Sequence, residues 1–223
     1  MEIYSLTTFY IVVIEVFLAL SVVKVLRYSA IEKPAIGKAA MIFFFWLIAV
    51  FILFEVFNIL PEDISSIALF SVILIGVAVS GVFFYLLKEE FLTLPQEFLL
   101  LPQAFRMFFG AGFIIEAVYK IMPVNYGVID GILHITTAFL SVTLAVYIAR
   151  GCKCTKSIIL VNIFGLLDIV VVAAGIAFVI LGEIGTNHNV FLAVFFAAPI
   201  FIWLHLISLY RVFTDKQDKL EIT

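Results

Sequence analysis

Asp130, His134, Thr137 and Ser141 follow one another in steps of four, three and four, which sets all four side chains on one face of a helix. The stretch that carries them, Tyr126 to Arg150, is otherwise apolar enough to lie in a bilayer. A carboxylate and an imidazole on one stripe of such a helix must face protein or water, because lipid solvates neither. Two kinds of chemistry suit the pair. An imidazole titrates near neutrality and can pass protons to a neighbouring acid. Asp130 and His134 at i,i+4 can also serve as two ligands of a metal ion, by analogy with helical two-histidine sites.

Further polar residues interrupt the other apolar segments. Asp168 falls near the middle of the sixth, far from either end, where an acid is protonated, paired or functional. By counted depth its nearest partners are Arg106 of the fourth segment and His205 of the seventh. Arg106 lies about one turn inside its segment, so it either snorkels to headgroups or is buried. Asn162 shares the sixth segment. Glu116 precedes Lys120 by four residues, the favourable order for a helix-surface ion pair, and that pairing is the expectation for both. Asp130 sits early in its helix, where the dipole also favours an acid.

These residues make an expected proton or ion pathway of Asp168, His205, His134, Asp130, Arg106, Glu116 and Asn162. Glu15 and Glu55 add an outer acidic mouth that would concentrate cations. Asp168 and His205 would exchange protons at mid-depth. A metal site would draw on Asp130, His134 and His205, with Glu116 or Asp168 as other candidates for the third ligand. Haem held between His134 and His205 is disfavoured by an offset of about 10 Å in depth. No lysine in the seventh segment offers a retinal Schiff base. No phosphate-binding loop, nucleophile elbow, CxxC pair or dinucleotide fingerprint occurs. His188, in GTNHN, reads as a solvated loop residue. Cys152 and Cys154 read as two reduced thiols that can form no disulfide framework.

The elements that must position these groups follow from composition. The chain has 223 residues, is 65% hydrophobic and has a mean hydropathy of +1.26; soluble domains are about 45–50% apolar. Charged residues make up 13% and the net charge is −3, with no basic patch for nucleic acid. Seven segments are long and apolar enough for membrane helices, at roughly 6–26, 38–60, 64–87, 102–122, 125–149, 157–181 and 190–212. The joining loops are short, so residues 1–223 are expected to form one all-α transmembrane domain.

Basic residues orient it. Lys24, Arg27, Lys33, Lys38, Lys88, Arg150, Lys153, Lys156, Arg211, Lys216 and Lys219, eleven of thirteen, fall in alternate connections or the C-terminal tail. The positive-inside rule makes that side cytoplasmic, with the N-terminus outside, in a plasma or bacterial inner membrane. The fourth segment is expected to begin at Pro102, since proline suits a helix's first turn; 91–101 then reads as an interfacial piece. The run Phe43-Phe44-Phe45-Trp46 is expected to face lipid, and Pro199 to free a carbonyl one turn earlier. The leading expectation for function is proton- or cation-linked transport of a small solute or ion. A metal-dependent membrane enzyme and a structural or accessory subunit are the alternatives. No cofactor is named by the sequence.

Overall fold

Seven helices in the computed structural model are long and apolar enough to cross a membrane, and no strand occurs among the described residues, 3–32 and 35–220. Lys33, one of the basic residues expected to orient the chain, lies outside them. The helices are α1 (Ile3–Tyr28), α2 (Ile36–Val56), α3 (Ser66–Tyr85), α4 (Gln96–Val118), α5 (Val124–Ala149), α6 (Thr155–Ile184) and α7 (Val190–Thr214).

Local chemistry sets their ends. Ser65 caps α3, its hydroxyl accepting from the Ala68 amide at 3.3 Å. Gly151 and Gly185 end α5 and α6 with φ of 92° and 71°, the left-handed region that glycine enters without strain. Cys152 and Cys154 are joined as a disulfide, not held as the two free thiols expected.

The start of α4 corrects the sequence expectation. The helical run begins at Gln96, directly after Pro95, and Pro102 sits inside it, in a tighter 3-10 stretch over Leu101–Phe105. The change of winding accommodates a proline that a regular helix interior would reject. Arg106 is therefore ten residues, or about 15 Å, into the helix, not one turn.

α7 is the central helix: 72% of its apolar window is buried, against 33% for α5 and 22% for α3. Its chain bends at Phe196, and Pro199 leaves the Phe195 carbonyl without a helical donor. The indole of Trp46 supplies one, Nε1 donating to the Phe195 oxygen at 3.1 Å. This explains a second correction. Phe43 and Trp46 are buried in the core and only Phe45 of the aromatic run is strongly exposed. Trp46 points inward to reach the carbonyl, and Phe43 follows one helical turn away.

α4 and α5 lie backbone against backbone. A Cβ added to Gly110 would stand 2.5 Å from the Gly131 carbonyl oxygen, and one added to Gly131 would stand 2.6 Å from that of Gly110. Because the two helices run antiparallel, the reciprocal contact sets Arg106, one turn before Gly110, level with the turn of α5 after Gly131, which carries His134 and Thr137.

Candidate functional site

Arg106 is fully buried and makes an ion pair with Asp168, Nη2 donating to Oδ2. Its Nη1 donates to the Gly165 carbonyl at 3.1 Å and stands 3.5 Å from His205 Nε2. The Phe201 ring covers the guanidinium, 5.6 Å from its carbon. Gly165 leaves room for this arrangement, since a Cβ there would strike the His205 ring.

The tautomer of His205 follows from its other contact. Nδ1 lies 2.8 Å from Asn162 Oδ1, while the Asn162 amide donates to Ile158 O at 2.7 Å and to Ser208 Oγ at 2.8 Å. With Oδ1 an acceptor, His205 carries its proton on Nδ1 and turns the Nε2 lone pair to Arg106. His205 thus sits as a neutral acceptor behind the guanidinium. The structure does not bring it against Asp168, as direct proton exchange between them would need, because Arg106 stands between.

His134 takes that place. Its Nδ1 is 3.3 Å from Asp130 Oδ1 and 3.4 Å from Asp168 Oδ1. Thr137 donates to the other Asp168 oxygen at 2.8 Å. One ligand atom from each of Asp130, His134 and Asp168 lies within 4.8 Å of the others, and all three residues are buried. Both Asp130 oxygens and Asp168 Oδ1 make no hydrogen bond. So the trio that could hold a metal takes Asp168 as its third member, not His205 or Glu116. Asp130 is six residues past the start of α5, beyond the turn over which a helix dipole acts.

From Gln96 the polar groups form one connected line. Gln96 donates to Ser208 Oγ, which accepts from Asn162, which meets His205; Arg106 and Asp168 follow, then His134 and Asp130. All lie on α4 to α7. Gln96 and Ser208 were not among the expected site residues. The recurrent Leu-Pro-Gln at 94–96 and 101–103 was the available signal, since either proline can open the helix. Ser141, from the opening stripe, is buried with its hydroxyl unbonded.

Glu116 lies apart from this line. Its carboxylate is buried beside Thr7 and Asn189. It does not pair with Lys120, which lies beyond the end of α4 at φ 58° and is exposed. The helix stops before the i+4 geometry can form. Asn189, overlooked in the sequence, ties the start of α7 to α1 by donating to Thr7 Oγ1 at 2.9 Å and Thr8 Oγ1 at 3.2 Å. Glu15 is fully buried with both oxygens unbonded, while Glu55 is only partly buried. His188 is a further correction: it is buried, accepts from the Val190 amide at 3.1 Å through Nδ1, and sets Nε2 3.3 Å from Ile121 O. Burial pushes its pKa down to about 4.

A family described as "Domain of unknown function (DUF8737)" matches residues 64–213, two thirds of the chain, and the chain belongs to it. The matched region holds α3 to α7 and every member of the polar line; Glu15 and Glu55 fall outside it. No curated protein and no solved structure matches.

Proposed function

We propose that this chain spans a plasma or bacterial inner membrane seven times, with its N-terminus outside and C-terminus inside, and couples a proton or cation to the movement of a small solute or ion. The basic connections support the orientation, and the seven apolar helices support the membrane.

The observation that carries the coupling is the contact of one imidazole nitrogen with two carboxylates of which Arg106 neutralises one. With both acids ionised and His134 neutral, Arg106, Asp130 and Asp168 sum to a single negative charge. A buried unit charge without a partner is costly. One proton shared among Asp130, His134 and Asp168 makes the cluster neutral. So does one monovalent cation. Gain and loss of that charge is the property a coupled transporter needs. His205, Asn162, Ser208 and Gln96 continue the line toward the end of α4 that bears the basic connections, and Glu15, Glu55 and Glu116 supply acid toward the other.

The test is proton flux into liposomes holding the purified protein. Asp130→Asn and His134→Gln, which leave the Arg106–Asp168 pair in place, should abolish pH-driven uptake while the protein stays folded. Wild-type flux in Asp130→Asn would end the proposal.

A second reading, a metal-dependent membrane enzyme, draws on the 4.8 Å grouping of Asp130, His134 and Asp168. Two carboxylates and one imidazole suit a first-row divalent ion. A divalent ion would leave the cluster one charge positive, which ranks this reading second. Elemental analysis of purified protein separates the two: about one metal per chain, lost in His134→Gln, favours the enzyme.

A further inference from the structure

Beside the carboxylate cluster lies a cavity of about 100 Å³ enclosed by α3, α4, α6 and α7. Its walls are apolar: Phe109 and Phe113 from α4, Ile169 and Ala173 from α6, with residues of α3 and α7 opposite. Among the described residues the single polar lining residue is His134. Leu74 of α3 and Val170 of α6 also line it, and each is 54% exposed on the outer surface of the bundle. The cavity thus opens sideways between α3 and α6, on the surface that a bilayer would cover, rather than at either polar end.

His134 is 93% buried, from a residual exposure of 7%, and it divides two environments. Nδ1 turns to Asp130 and Asp168. His134 also lines the cavity, and Nε2, on the ring edge away from both carboxylates, enters no hydrogen bond or ion pair among the described residues. The edge of Phe113 fixes the ring plane, with centroids 5.6 Å apart. An empty apolar cavity tolerates vacancy or an apolar guest; an imidazole nitrogen turned into one demands a hydrogen-bonding partner.

We propose that this cavity admits, from the hydrocarbon of the bilayer, a lipid-soluble molecule bearing one oxygen acceptor, a hydroxyl or a carbonyl, which hydrogen-bonds to His134 Nε2. The volume accommodates a short branched chain or a small ring, while any remaining tail stays between α3 and α6. The inference rests on the proton-linked reading for the role of His134 and names the class of solute. The contact is a hydrogen bond and breaks no bond: a hydroxyl or carbonyl oxygen is far too weak a base to take the imidazole proton, so Nε2 keeps it and the guest enters and leaves neutral.

The test uses a diazirine-bearing octanol as photolabel on the reconstituted full chain, with octanol and octane as competitors. Label is expected on Phe109, Phe113 and the 169–173 segment. Octanol should displace it at a concentration about tenfold below that of octane, the equivalent of one hydrogen bond. Ala173→Phe fills the cavity without touching the carboxylate cluster and should remove the labelling. Ala198→Leu repeats the test from α7 should that variant fail to fold. Label spread evenly over the outer surface, unchanged in both variants, or equal competition by octane, would overturn the proposal. Proton flux through Asp130→Asn separates the two ideas. Specific labelling with wild-type flux in that variant ends the proton reading and leaves the binding site. Diffuse labelling with abolished flux ends the binding site and leaves the proton reading.

Discussion

Arg106 and Asp168 form a fully buried ion pair between α4 and α6, and the same guanidinium separates Asp168 from His205. The pair has two consequences: it sets the charge of the cluster, and it divides the polar line into a half built of two carboxylates and an imidazole and a half that donates and accepts in fixed directions.

Removing the cation alone should be severe. Arg106→Gln leaves Asp168 buried without its counter-charge, at an expected cost of about 3–5 kcal/mol. Asp168→Asn in the same chain should return most of that loss. Thermal unfolding in detergent of the two single variants and the double variant measures the coupling. An Arg106→Gln protein as stable as wild type would mean that the acid is solvated.

Glycine contacts allow a controlled comparison. Gly131→Ala should force α4 and α5 apart, costing about 1–3 kcal/mol by overpacking, because its Cβ meets a backbone carbonyl that cannot move away alone. Gly37→Ala should be neutral or stabilising by up to about 1 kcal/mol, since nothing lies within 4 Å of that Cβ. Equal melting shifts in the two variants would contradict the close approach.

The bond from Trp46 to Phe195 should depend on Pro199. Trp46→Phe strands a buried carbonyl, at about 1–3 kcal/mol. In a Pro199→Ala background the new amide at 199 can reach that carbonyl, and the cost of Trp46→Phe should shrink. A cost that is the same in both backgrounds would show that the indole matters by packing alone.

His188 gives a pH dependence of known sign. Its folded pKa, about 4, lies below the ordinary 6.5, so the unfolded chain binds the proton more readily. Its contribution is complete above about pH 6.5 and is lost as pH falls toward 4, by about 3 kcal/mol in all. His188→Gln should flatten that part of the stability profile, measured as melting temperature between pH 7 and pH 4.

Much of this architecture can be read from the residues. The seven segments and their order follow from length and apolarity. Gly76 and Ser80, four apart in α3, share a face by that spacing, and it packs on a neighbour: a Cβ on Gly76 would meet Phe195 and the Ser80 hydroxyl accepts from Trp203 Nε1 at 3.0 Å. Asp130 and His134 are neighbours by helix geometry alone. What counting residues does not yield is lateral position. Asp168 was assigned a greater depth than Asp130, yet helix tilt and side-chain reach bring both acids to one imidazole. The inward turn of Trp46 depends on a carbonyl freed by Pro199, about 150 residues away in sequence, and His188 is buried by contacts to Ile121 and Val190 that no local pattern encodes.

The ion pair also bears on how the chain is made. Among the seven segments α4 has the lowest hydropathy, 1.6 against 1.9 to 2.7 for the rest, and it carries an arginine that costs about 2.5–3.5 kcal/mol at the centre of a translocated helix. Its counter-charge is encoded 62 residues later. During synthesis, then, α4 leaves the ribosome before the segment that neutralises it exists. A nascent chain truncated ahead of Asp168 should leave α4 poorly integrated in a glycosylation-tag assay, and extension through α6 should retain it. Asp168→Asn in the longer chain should undo that rescue, making membrane integration of one helix contingent on the translation of another.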